Sequence, residues 1–243
     1  MIFLELVPKD MEQLLKDVKD YLTDFSAIDG VNIPDIKRIS NRSYNVTTEL
    51  LKHNINAIPH IRTRDDEMTV HLNRIEALVE SGLDKILLVS GDIHQDAIHQ
   101  VTPLLLTKEL KKRFNGLKVY TALDPYRHSF KDEVQYAKEK IEAGSDGFFT
   151  QPFFEKELCE QYINQFKNVD IFIGISPVMT QKSYDYWVRV NNVTFPQSFE
   201  LSQSYNAKLA KELLSVSKRY NKSSYIMPIS IKVDDYLKSI FLD

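Results

Sequence analysis

Residues 85–92 read KILLVSGD, an apolar run from Ile86 to Val89 closed by Ser90, Gly91 and Asp92. The run is too short for a helix and apolar at every position, which is the signature of a strand buried on both faces. The same design recurs along the chain. FLELVP carries Glu5, GFFTQPFF carries Gln151, and FIGISPV reaches Ser176. Eight such runs are expected as strands: Ile2–Val7, Ala27–Asn32, Ala57–Ile61, Lys85–Ser90, Lys118–Ala122, Gly147–Gln151, Ile171–Ser176 and Tyr225–Ile229. Most start about 25–30 residues apart, the spacing of repeated βα units.

The intervening stretches carry helical stripes. Met11, Leu14, Leu15, Val18, Tyr21 and Leu22 recur at helical spacing behind Asp10, a suitable N-cap. Met68, Leu72, Ile75, Leu78 and Val79 form a second stripe that Gly82 ends, and a third runs over 131–143 to Gly144. Alternation without a strand-only block admits a doubly wound sheet or a closed barrel, and eight units favour the barrel. The expected fold is therefore α/β, a single (β/α)8 TIM barrel over residues 1–243. About fifty residues between the seventh and eighth strands form an insertion. It holds Trp187, the only tryptophan, and an Asn191–Asn192 turn signal. An insertion after a late strand is expected over the barrel mouth.

Bulk properties narrow the function classes. The 243 residues suit one barrel, typically about 250 residues. A net charge of −3 offers no electrostatic footprint for nucleic acid or an anionic membrane. No apolar run approaches the roughly 20 residues of a membrane span. No basic n-region or apolar h-region precedes the first strand, so no secretory signal is expected. The single cysteine, Cys159, fits a reducing cytoplasm and is expected to be an inert helix residue.

Polar residues at strand ends are the candidates for chemistry. Glu5 interrupts an apolar strand on the face of Phe3 and Val7. It is either a catalytic acid whose pKa burial raises, or half of a buried salt bridge with a lysine such as Lys85. Asp92 follows Gly91 in a turn and either meets a ligand or caps the next helix. Gln151 ends its strand with an amide that can donate and accept, which either suits the edge of a heterocycle or bonds neighbouring loop backbone. In IPHIRTRDD, His60 and Arg62 stand at the third strand's end; His60 is either structural or a ligand contact, while Arg64 reads as a solvated helix start. His94 and His99 are wrongly spaced for one helical face, so no metal is expected. There is no Gly-x-Gly-x-x-Gly and no Walker loop.

Taken together, FLELVP, AIPHIRTRD, ILLVSGD, AGSDGFFTQPFF and IGISPV resemble the methylenetetrahydrofolate reductase family, in order and over nearly the whole chain. The resemblance implies a (β/α)8 barrel that binds FAD and reduces 5,10-methylenetetrahydrofolate to 5-methyltetrahydrofolate with NADH or NADPH, supplying methyl groups for methionine. It makes Glu5 the acid that assists ring opening, and Asp92 and Gln151 the folate contacts. It places His60, Arg62, Ser90, Gly91, Ala122, Tyr126, Arg127, His128 and Lys140 on the cofactor side. Three positions depart from the family pattern. Ser90 replaces the arginine of Arg-Gly-Asp, residues 123–128 replace Tyr-Pro-Glu-x-His, and Glu139 replaces an arginine beside Lys140. The implied partner is a small folate, with neither nucleic acid nor membrane, and a homo-oligomer is compatible with the resemblance. The competing readings are a folate-binding or methyl-transfer barrel without reductase activity, and an unrelated barrel lyase or aldolase.

Overall fold

Each of the eight apolar runs forms a strand in the computed structural model, which describes residues 1–91 and 100–242. In chain order the strands are β1 (Ile2–Glu5), β2 (Gly30–Ile33), β3 (Ala57–Arg62), β4 (Lys85–Val89), β5 (Lys118–Leu123), β6 (Gly147–Pro152), β7 (Asp170–Ile175) and β8 (Ser223–Ile226). Every neighbouring pair is parallel, and β1 pairs with both β2 and β8, so the sheet closes into a barrel. All eight C-terminal ends therefore share one rim.

The described helices are α1 (Met11–Asp24), α2 (Ser43–Lys52), α3 (Met68–Glu80), α4 (Pro103–Arg113), α5 (Phe130–Glu142), α6 (Lys156–Gln165), α7 (Gln181–Asn191), α8 (Gln203–Arg219) and α9 (Val233–Phe241). Their starts follow local chemistry. Asp10 accepts a hydrogen bond from the Gln13 amide at 2.8 Å and caps α1, and Thr102 and Ser129 do the same for α4 and α5. Gly82 and Gly144, at φ +98° and +105°, follow the ends of α3 and α5 as the sequence predicts. The last helix, α9, is an addition to the expected pattern. Its stripe of Tyr236, Leu237 and Ile240 is buried, and Phe241 meets Phe25 at 6.2 Å between ring centres.

Alternation along the strands divides the core. Leu4, Val31, Phe148 and Ile173 face outward and pack under the helices, whereas Phe3, Ile58, Leu87, Tyr120, Phe149, Phe172 and Tyr225 fill the interior. Phe149 stacks on Phe172 at 4.2 Å, and Tyr120 and Phe3 meet Phe172 edge-on at 5.1 and 5.6 Å. Gly30 makes room for this layer, since a Cβ there would lie 2.9 Å from the Phe3 ring and 2.4 Å from the Asn56 carbonyl. The aromatic layer closes the barrel from below, so any chemistry belongs to the residues above it.

The insertion between β7 and β8 contains α7 and the loop into α8. Trp187 is buried against Phe154, Val178, Val193 and Phe195. Phe154 follows β6, so this cluster anchors the insertion on the β6–β7 side of the rim. Asn192, at φ +55°, ends α7 where the Asn-Asn turn signal falls. Among the described residues no helix is long and apolar enough to cross a membrane.

Candidate active site

Directly above the aromatic layer, β1, β2 and β3 each place a polar residue two positions beyond an interior one: Glu5 after Phe3, Asn32 after Gly30, and His60 after Ile58. Strand alternation thus turns all three toward the barrel axis. Asn32 is fully buried, and its Nδ2 lies 2.8 Å from Glu5 Oε2 and 3.0 Å from His60 Nε2. Glu5 Oε2 and His60 Nε2 are 3.7 Å apart, and both side chains are 13% exposed. The salt bridge with Lys85 is not formed, because Lys85 pairs with Asp84 at the opposite end of β4.

Burial sets the electrostatics of this cluster. It pushes the Glu5 carboxyl up to about 7, against the lowering effect of the Asn32 hydrogen bond. It pulls His60 down to about 3, so the imidazole is neutral at physiological pH. A carboxyl poised near 7 beside a neutral imidazole can hold a proton and release it within the same pH range. On β8 the Tyr225 hydroxyl, raised well above its ordinary pKa by burial, donates to the Thr150 carbonyl across the barrel.

Gln151 reaches the same rim from β6. It is partly exposed and lies where the β6–β7 pairing shifts register between Phe149 and Pro152. Gly174 permits this shift, since a Cβ there would meet the Thr150 carbonyl at 2.7 Å. Asp92 lies outside the described residues, as do His94 and His99. Glu5 and Gln151 are thus brought to one rim on strands β1 and β6.

The cofactor-side residues divide into two groups. Ser90 and Gly91, both partly exposed, follow β4, and Gly91 has φ +77°. A Cβ on Gly91 would lie 2.9 Å from Arg62 Cζ, so the guanidinium rests on bare backbone. Arg62 is held by Asp65 at 3.1 Å, and Asp65 and Asp35 both bind Arg42. This buried network fixes the ends of β2 and β3. The other group follows β5. The Tyr126 hydroxyl donates to the Pro152 carbonyl at 2.9 Å, while Arg127 and His128 are exposed and Arg127 lies 3.5 Å from Asp124. Lys140 is buried in α5, donates to the Ala122 carbonyl at 2.6 Å, lies 3.8 Å from Glu133 and sits 4.0 Å over the Tyr136 ring. Burial lowers its pKa to about 8, with Glu133 opposing.

Asn32 is the site residue that the strand-end reading passes over, although the expected strand Ala27–Asn32 ends on it. Two surface depressions lie on the helical shell instead, one between α5 and α6 and one along α7. Cys159 is buried in α6 with its thiol pKa raised by burial. Among the described residues no group of three or more His, Cys, Asp or Glu side chains could hold a metal ion.

A closed parallel barrel with a buried acid inside its C-terminal rim defines a (β/α)8 protein with a candidate acid–base site. The chain belongs to the methylenetetrahydrofolate reductase family, whose model matches residues 10–212. Glu5 and β8 lie outside the matched segment. A probable methylenetetrahydrofolate reductase (NADPH) of Caenorhabditis elegans is 22% identical over 210 residues, covering 80% of this chain and 32% of that protein. A 5,10-methylenetetrahydrofolate reductase of Buchnera aphidicola (Schizaphis graminum) is 22% identical over 182 residues, covering 71% of this chain and 61% of that protein. The chain therefore spans from about a third to three-fifths of these two relatives. Solved structures share the fold at low identity. A 2,3-dimethylmalate lyase superposes with TM-score 0.59 at 10% identity, covering 95% of this chain and 75% of that one. A Yersinia pestis DHPS with a pterine–sulfa conjugate gives 0.51 at 11%, covering 100% and 90%.

Proposed function

We propose that this chain is a reductase of its family's type, converting 5,10-methylenetetrahydrofolate to 5-methyltetrahydrofolate. The observation that carries this reading is Glu5, a carboxyl that burial at the barrel mouth pushes up to about 7. Opening the imidazolidine ring breaks a carbon–nitrogen bond, and the departing nitrogen needs a proton. Glu5 supplies it and becomes a carboxylate, stabilised by the Asn32 N–H at 2.8 Å. A hydride then adds to the resulting iminium carbon to form the methyl group. Gln151 recognises the pterin edge from β6, and Asp92 accepts paired hydrogen bonds from its amino-pyrimidine side.

The residues after β3, β4 and β5 suit a flat, anionic cofactor, which we assign as FAD. The Arg62 guanidinium on the bare Gly91 backbone puts a cation beside a surface without side chains. Arg127 offers an exposed cation for phosphates and His128 an exposed imidazole, with Ser90 and His60 along the ring. Lys140 acts from beneath by fixing the Ala122 carbonyl. Bound flavin, reduced by NADH or NADPH, supplies the hydride. The internal commitments of Lys140 and Tyr126 favour a second reading, a folate-binding barrel that carries no reductase activity of its own.

Titrating the purified chain with FAD, then following NADH or NADPH oxidation with methylenetetrahydrofolate, separates the two. Flavin absorbance with turnover supports the reductase, whereas folate binding without turnover supports the second reading.

A further inference from the structure

We propose that Asn32 is a positioning residue: its amide gives one N–H to Glu5 Oε2 and the other to His60 Nε2, which leaves Glu5 Oε1 to carry the proton and fixes His60 as the Nδ1–H tautomer. The inference rests on reading Glu5 as the proton donor, but its geometry stands apart from turnover. Asn32 lies in a strand that is otherwise apolar, and a buried amide is costly unless its groups are bonded. Its nitrogen has two hydrogens and two neighbours at hydrogen-bond distance, 2.8 and 3.0 Å away. A nitrogen that donates to His60 Nε2 requires a lone pair there, so the ring proton is on Nδ1.

The other end of the amide makes no comparable contact. Asn32 Oδ1 is buried and has no hydrogen-bond partner among the described residues. Among the described residues the side chain is thus held through its nitrogen, by the two groups it orients. Among the described residues, the titratable groups that face Glu5 are few. His60 approaches from β3, and Tyr225 from β8 feels the Glu5 charge. Among the described residues, Asn32 is the one side chain that donates to the Glu5 carboxyl. The amide therefore decides which oxygen stays available to a substrate and how readily that oxygen releases its proton.

The test uses the full chain, labelled with ¹⁵N and ¹³C, with His60→Gln to assign the ring signals. In the parent near neutral pH, the His60 ring nitrogens should show the Nδ1–H pattern; an Nε2–H pattern overturns the proposal. Asn32→Leu keeps the branching of the side chain and removes both donors. The Glu5 carboxyl midpoint should then rise by about one pH unit, the size expected for one hydrogen bond to a charged group. The alkaline limb of folate reduction should rise with it, and an unmoved midpoint overturns the proposal. Asn32→Asp replaces the donor by an acceptor, so His60 should switch to carry its proton on Nε2; an unchanged tautomer again overturns it. If Asn32→Leu does not fold, the parent and Asn32→Asp spectra still decide. Failure of the reductase reading looks different, as an idle parent protein whose Glu5 and His60 spectra behave as expected.

Discussion

The β1–β3 sector and the β5–α5 sector both bring polar side chains to the same end of the barrel, but they use them in opposite ways. In the first, Glu5, Asn32 and His60 face one another inside the wall, and burial moves Glu5 up to about 7 and His60 down to about 3. In the second, Lys140 and Tyr126 spend their hydrogens on the carbonyls of Ala122 and Pro152, while Arg127 and His128 reach solvent. Side chains that satisfy the backbone build a wall, and side chains that hold one another at the barrel rim can hold and release a proton. The contrast assigns proton chemistry to the first sector and support to the second.

The largest effect should come from Glu5→Gln. It removes the proton and keeps the shape, so folate reduction should fall by about 10²- to 10⁴-fold, the usual share of a general acid. Reduction of any bound flavin by NADH should persist. Folate turnover at the parental rate would break the contrast outright.

The pH dependence of stability sharpens it. Glu5 titrates near 7 in the fold against an ordinary 4.5, so the native state keeps a proton that the unfolded chain has lost, and this contribution fades as pH rises through that window. His60 titrates near 3 against 6.5, so its contribution is present above 6.5 and is lost as pH falls toward 3. Where the windows overlap, the two slopes oppose and cancel. Relative to the parent, Glu5→Gln should therefore gain stability with rising pH at about 1.4 kcal/mol per unit, and His60→Gln should lose it at the same rate. Urea unfolding at stepped pH measures both, and identical slopes in all three proteins would remove the opposition.

Lys140→Met asks whether the second sector is a support. It should cost about 2 kcal/mol by stranding the Ala122 carbonyl and Glu133, read as a lower urea midpoint. The Glu5 titration should stay where it is. A variant of parental stability that no longer binds FAD would instead make Lys140 a direct cofactor contact. The smallest effect on the fold belongs to Arg127→Ala, within about 0.5 kcal/mol because the side chain is exposed. Its FAD affinity should fall roughly tenfold, as for loss of one hydrogen bond to a charged group.

The strands were legible because each is an apolar run of strand length between helical stripes, and all eight lie where they are expected to within a few residues. β8 is displaced furthest, to Ser223–Ile226, because buried Ser224 reads as turn chemistry when only its polarity is considered. Glu5 was legible as a charge in an apolar strand. Asn32 was not, because an uncharged amide at a strand end looks like the start of a loop, and its neighbours Glu5 and His60 lie 27 and 28 residues away. Resemblance placed Lys140 near a cofactor. That its ammonium would be taken up by the Ala122 carbonyl depends on how α5 leans against β5, which no pattern in either segment encodes.

Cys159 gives the molecule a built-in clock. It is the sole thiol, fully enclosed under α6, and burial holds it in the unreactive protonated form. An alkylating reagent can therefore modify the folded chain only as fast as α6 lifts away. The labelling rate becomes a direct count of those openings, and a ligand that steadies the β6 side of the barrel should slow it.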